Sequence, residues 1–401
     1  MTTSTATSQS TAAVTGKISK TAAYYAAFVA LGLVTASLGP TLPGLAENTQ
    51  SVLSEISFLF TARSLGYLLA SLFGGRMYDR VAGHPFMAMM LLVVVGMLVL
   101  VPLMPLLWLL TLTLLVLGMA EGTVDVGGNT LLVWVHRHRV GPFMNGLHFF
   151  FGFGAFLSPI IIAQAVLLSG GITWAYWVLA LLVLPVAVWL LRLPSPASQA
   201  TSTPDAAVHV NSVLVMLIAF FFFLYVGAEI SFGGWIFTYA VALNLASETS
   251  AAYLTSAFWG ALTAGRLLAI PVAARFRPRV ILLSDLLGCL VSIGIILLWS
   301  NSLLAVWMGT LGVGFSMASV FPTTLSLAER RITITGQVTG WFFVGASAGG
   351  MSVPWLIGQF FESVGPTVTM LIIFTTLLAA LAIFAVLIGY SARQNLVPEQ
   401  E

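Results

Sequence analysis

Glu121, Asp125 and Asn129 recur every four residues inside an otherwise apolar run, so a helix there carries all three on one face. A carboxyl group at the centre of a membrane helix costs roughly 3 kcal/mol to insert, and such a group tends to face an interior cavity. Taken out of water, a carboxyl group trades its charge for a proton. It can then load a proton on one side of a barrier and release it on the other. Asp125 is the first candidate for this ion-coupling role and Glu121 the second. Arg63 lies in another apolar run at a compatible depth, so a structural ion pair with Arg63 is the competing role for either acid. Asn145 and His148 stand three residues apart in a third run. His148 reads as a partner for a hydroxylated solute or as a buried structural histidine.

Glu229 sits in a segment interrupted by Gly227, Gly233 and Gly234, which suits kinked half-helices around a site. Trp235 and Tyr239 follow it. Aromatic faces pack on the C–H faces of sugars while N–H and O–H groups bond hydroxyls; a belt at the headgroups is the alternative reading. Arg266 reads as a gating residue, or as a partner neutralising Glu229 or orienting Asp285. Gln337, Trp341 and Gln359 are further cavity candidates. The Gly-rich stretches GFGAFLSP and ASAGGMSVP lack the Lys-Ser/Thr ending of a phosphate-cradling loop and read as close-packing segments. No clustered Cys or His supplies metal-ligand spacing, and no nucleophile–base set appears. No enzyme, metal site or cofactor is expected.

The elements that must position these residues are membrane spans. The chain is 59% hydrophobic and 7% charged, against about a quarter charged in soluble proteins. A crossing helix needs about 20 mostly apolar residues. Twelve candidates run over 22–46, 53–75, 85–104, 106–134, 141–168, 172–192, 210–242, 249–274, 279–298, 302–327, 335–361 and 366–390. Alternation along these spans puts Lys17, Lys20, Arg76, Arg80, Arg137, Arg139, Arg192, Arg275, Arg277, Arg279, Arg330, Arg331 and Arg393 on one face. The opposite loops carry Glu47, Glu55, Glu248 and Glu362. Cytoplasmic loops retain Lys and Arg, so the basic face is expected to be cytoplasmic, with both termini on it. No cleavable signal is expected, and the net charge of +2 gives no footprint for nucleic acid.

The spans fall into two halves that repeat. A shift of 195 residues brings Gly32 onto Gly227, Gly39 onto Gly234, Arg80 onto Arg275 and Gly141 onto Gly336. It also brings Gly154, Pro159 and Gln164 onto Gly349, Pro354 and Gln359, and Gly170 onto Gly365. Six spans is an even number, so the halves share one topology and rock about a site between them. The expected organisation is a disordered cytoplasmic tail over 1–20, a six-helix half over 21–192 and a cytoplasmic linker over 193–209. A second six-helix half over 210–391 and a tail over 392–401 complete it.

Between spans two and three lies GGRMYDRVAGHP, with Gly75, Asp79, Arg80 and Gly83. This resembles the G-x-x-x-D-R-x-x-G loop signature of the major facilitator superfamily. The equivalent loop in the second half keeps Arg275 but has Ala274 in place of the acid. The resemblance implies a latch on the basic face, with Asp79 accepting from a helix N-terminus or a neighbouring Arg. Four segments sharpen it: DVGGN, MNGLHFFFGFGAFLSP, YVGAEISFGGWIFTY and FWGALTAGR. Together they resemble the fucose–proton symporter and sodium-dependent glucose transporter-like subfamily across residues 22–390.

That resemblance implies an all-α integral membrane protein of twelve transmembrane helices in two pseudo-symmetric six-helix bundles, the major facilitator fold. It gives Asp125 and Asn129 roles in proton coupling and sugar binding, and Asn145 and His148 the place of a sugar-contacting N-x-x-Q pair. This chain departs from the pattern in having Phe151 where a further Asn often follows, and no acid in span one near Gly39. The function expected is secondary active transport of a small hydroxylated solute by alternating access, in symport with H+. Na+-coupled sugar symport and proton-coupled efflux of amphipathic compounds are the alternatives. The partners expected are the solute and the bilayer, with a monomer acting in the cell membrane.

Overall fold

The computed structural model describes residues 3–197, 211–332 and 336–394. Their helices, in chain order, are α1 (Thr3–Thr35), α2 (Leu38–Thr49), α3 (Leu53–Ile56), α4 (Phe58–Arg80), α5 (Gly83–Leu100), α6 (Leu107–His136), α7 (Gly141–Ser169) and α8 (Ile172–Leu191). The second half holds α9 (Ser212–Ala242), α10 (Glu248–Arg275), α11 (Pro278–Leu298), α12 (Leu303–Met317), α13 (Val320–Glu329), α14 (Gly336–Val364) and α15 (Val368–Gln394). No strand occurs among the described residues. Helix α1 begins inside the stretch expected to be a disordered tail. Most of the linker and the end of the C-terminal tail lie outside the described residues.

Among the described residues, eleven stretches are long and apolar enough to cross a membrane. The twelfth helix, α14, has 29 residues and falls short on hydropathy, because Gly, Ser, Thr and Gln interrupt it. Its buried residues Val338, Phe342, Ala346, Val353, Ile357 and Phe361 recur at helical spacing, and the helix packs on α9 and α4. The helix is thus apolar where it meets protein, and needs less apolarity elsewhere.

Three of the expected spans are broken. Span one divides at residues 36–37 into α1 and α2, and span ten divides at residues 318–319 into α12 and α13. Proline sets both positions. Pro40 and Pro322 lack an N–H, and each ring crowds the carbonyl four residues earlier, at Ala36 and Ala318. Span two divides at Ser57 into α3 and α4, beside Gly358 of α14.

The repeat holds in three dimensions. Helix α1 packs on α7 as α9 packs on α14, and α5 packs on α8 as α11 packs on α15. At the first crossing a side chain at Gly154 would overlap the Val29 carbonyl; at the second, one at Gly349 would overlap the Phe223 carbonyl. The turns after α7 and α14 both rest on a left-handed glycine, Gly170 at φ 77° and Gly365 at φ 98°. These two positions are 195 residues apart.

Candidate functional site

The break between α1 and α2 leaves backbone carbonyls without helical partners, and polar side chains converge on them. Arg63 of α4 donates from Nη2 to the Val34 carbonyl at 2.8 Å and from Nη1 to the Thr35 carbonyl at 3.2 Å. Ser158 of α7 donates to the Leu33 carbonyl at 2.5 Å. The other edge of the guanidinium meets Glu121 in a two-pronged pair, Nε to Oε2 at 2.7 Å and Nη2 to Oε1 at 2.6 Å. Thr35 adds a hydroxyl to Oε1 at 3.2 Å. The pair is shielded, with the Arg63 side chain 12% and the Glu121 side chain 3% exposed. Glu121 is thus paired with the arginine that caps the break.

Asp125, one turn along α6, has different company. Tyr67 of α4 donates to Oδ2 at 2.6 Å. Asn129 donates its amide to Oδ1 at 3.2 Å and to the Asp125 carbonyl at 2.9 Å. Both partners are neutral. Asp125 is half-buried, and no ion pair involves it among the described residues. The four-residue spacing thus separates one carboxylate neutralised by a cation from one held by neutral donors.

The second half has its own polar cluster. Glu229 of α9 lies beside Tyr225 and within electrostatic reach of Arg266 of α10. Tyr225 donates to the Met317 carbonyl, at the end of α12, at 2.7 Å. Ser319, inside the span-ten break, donates to Asp285 of α11. Arg266 pairs directly with neither acid among the described residues. It also lies within electrostatic reach of His148 of α7. Asn145 and His148 are exposed on α7, and the His148 ring meets Phe28 edge-on at 5.9 Å.

The hydrogen bonds joining the two halves gather toward the acidic face. Gln164 of α7 donates to the Tyr253 hydroxyl of α10 at 2.7 Å. Gln359 of α14 donates to the Ser54 carbonyl at 2.8 Å and to the Ser57 hydroxyl at 3.3 Å. Thr61 donates to the Met351 carbonyl at 3.1 Å, and Glu362 accepts from the Leu53 amide at 3.0 Å. These bonds lie on the acidic side, whereas Asn145 and His148, nearer the other end of α7, are exposed.

The Major Facilitator Superfamily profile matches residues 24–354. The chain belongs to that family. Sodium-dependent glucose transporter 1 of Xenopus laevis is 33% identical over 81% of this chain and 72% of its own length. Sodium-dependent glucose transporter 1A of Mus musculus is 33% identical over 83% and 88%. The human Sodium-dependent glucose transporter 1 is 32% identical over 83% and 72%. Among solved structures, the nucleoside transporter NupG superposes with a TM-score of 0.75 over 93% of this chain and 99% of its own, at 12% identity. That likeness extends to the fold.

As a member of the major facilitator superfamily, the protein is a membrane transporter and not an enzyme. The family's loop signature takes a particular form here. Asp79 and Arg80 are exposed in the last turn of α4, and neither is hydrogen bonded or ion-paired among the described residues. Gly83 packs on Leu131 of α6, whose side chain would have to shift for a larger residue, whereas Gly75 has open space around it.

Trp235 and Tyr239 are wholly buried on the sealed side. Trp235 donates to the Pro354 carbonyl at 3.1 Å, between the rings of Phe60 and Phe361. Neither side chain is accessible here. The sequence reading missed two contributors: Tyr67 and Ser319. Tyr67 had a visible signal, since it lies one turn along span two from Arg63 and so shares its face. Ser319 becomes a ligand for Asp285 only because Pro322 breaks its helix.

Proposed function

We propose that the protein carries a small hydroxylated, sugar-like solute by alternating access, in symport with protons loaded at Asp125. The observation that carries this reading is the contrast on α6: Glu121 is neutralised by Arg63, while Asp125 meets neutral donors. A carboxyl group in that setting exchanges a proton without an ion pair having to break. Asn129 links the coupling acid to the solute site, which Asn145 and His148 flank. Trp235 and Tyr239 join the wall when the acidic side opens, and Glu229 with Arg266 sets the charge of the second half. Asp79 and Arg80 close the basic face in the opposite state, with Gly75 and Gly83 giving the loop its freedom and its packing.

With the basic face cytoplasmic, the conformation described is inward-facing, and both termini lie in the cytoplasm of a cell whose surface membrane holds the protein. A single chain encloses the pathway, and the coupling ion is its one accessory. Sodium coupling is the second reading, supported by the names of the curated relatives.

Reconstitution into liposomes tests both. Uptake of hexoses, pentoses and polyols is followed under an imposed proton gradient, an imposed sodium gradient, or neither. Proton-driven accumulation that is lost in Asp125→Asn, with counterflow retained, is the expected result. Accumulation driven by sodium alone replaces the ion. Exchange of a hydrophobic cation for protons, with no sugar moved, replaces symport by efflux.

A further inference from the structure

Trp259 on α10 is 4% exposed, and its indole N–H has no hydrogen-bond partner among the described residues. Ser256, one turn earlier on the same side of the helix, is 3% exposed, and its hydroxyl is likewise without a partner. Buried donors are almost always satisfied, because burial removes the hydrogen bond that water would supply. Ser231, Thr238, Tyr239, Thr310, Trp355 and Thr369 also carry a buried unpartnered group among the described residues; Ser256 and Trp259 are set apart by standing side by side on α10, where Trp259 meets α7 of the other half.

Their position bears on what satisfies them. Ser256, Trp259, Thr263 and Arg266 follow one stripe of α10. Thr263 is already engaged, donating to the Trp259 carbonyl at 2.7 Å. Arg266, half-buried, continues the stripe one turn further. Trp259 itself stands where the halves touch. The Phe151 ring of α7 meets it edge-on at 6.4 Å. A Cβ at Gly233 would lie 3.2 Å from Cζ2, the carbon beside the N–H-bearing edge. The Gly233 carbonyl lies 2.7 Å from where a Cβ on Gly39 would stand. The indole is therefore part of the cavity's roof, under the contact between α2 and α9 that must part for the acidic side to open.

We infer that Trp259 is a solute-contacting residue, whose N–H donates to a hydroxyl oxygen of the solute when the roof opens toward the acidic face. Closure of the roof removes that partner, which is the state seen here. The solute is then released toward the basic face as its bond to Trp259 is lost. This assignment rests on the sugar-like substrate class proposed above.

Trp259→Phe keeps an aromatic ring and removes the donor. With D-glucose as probe, KM for uptake from the acidic side is expected to rise about tenfold, the value of one hydrogen bond, with kcat little changed. One member of a monodeoxyglucose series is expected to show the same KM with both proteins, identifying the hydroxyl. Replacement of Trp259 by β-(3-benzothienyl)alanine, which puts sulfur in place of the N–H at equal volume, gives the same result should the Phe variant fail to fold. A variant that melts higher than wild type with unchanged KM makes the indole a packing residue and overturns the assignment alone. A wild-type protein that moves neither D-glucose nor any other hydroxylated solute overturns the substrate class as well.

Discussion

Arg63 serves two structures at once, and that decides what its loss does. It neutralises Glu121 and caps the Val34 and Thr35 carbonyls at the span-one break. Glu121→Gln leaves a guanidinium buried without its counter-charge, a change that costs about 3–5 kcal/mol; a lower melting temperature in detergent is the measurement. Pairing it with Arg63→Met removes the stranded charge and recovers part of that loss. The recovery stays incomplete, because the Thr35 carbonyl then lacks its donor, while the Val34 carbonyl keeps the Ser37 hydroxyl. Tyr67→Phe acts differently. It strips one neutral donor from Asp125, so stability changes by about 1 kcal/mol while the proton dependence of uptake shifts. A stability loss as large as that of Glu121→Gln would contradict this. The sequence showed acids at helical spacing and an arginine at matching depth. It left open which acid the arginine takes, since one helical turn separates them and contact geometry decides.

At the scale of elements, the cross-half bonds have a pseudo-symmetric core. Gln164 and Gln359 are 195 residues apart, and each reaches from the fifth helix of its half to the other half near the acidic face. Gln164→Leu and Gln359→Leu each remove donors holding that face shut, so both shift the population toward the state open there. Spin labels at Leu168 and Glu248, at facing ends of α7 and α10, are expected to show a longer distance in each variant, and a longer one still in the double. Unchanged distances would assign the seal to apolar packing. Most elements were legible, since length and apolarity define a span almost by themselves. The breaks at residues 36–37 and 318–319 were not read, although Pro40 and Pro322 stood four residues past each. Pro159 and Pro354 show why: they too lie within long apolar runs, and α7 and α14 continue through them. Whether a proline breaks a helix depends on what receives the freed carbonyls, and those receivers lie on other helices.

Across the whole molecule the duplication is a mechanical constraint. Gly154 against Val29 and Gly349 against Phe223 bring backbones into contact at equivalent crossings. Gly154→Val and Gly349→Val are each expected to cost about 1–3 kcal/mol or more through overpacking, read as a comparable fall in monodisperse protein on size exclusion. Gly75→Ala, placed in open space, leaves that yield unchanged. The repeat that a 195-residue shift exposed is therefore carried by backbone contacts, which is why it survives while Asp79 has no acidic counterpart. The neutral Arg63–Glu121 pair has one more effect. It adds nothing to the electric charge that moves as the halves rock. Fixed charges return with each cycle, so under the proposed proton loading at Asp125 the net charge carried is that of the proton alone, and the voltage across the membrane would add to the ion gradient. A potential of 100 mV acting on one charge is worth about 2.3 kcal/mol, enough to hold roughly a 50-fold excess of solute on one side.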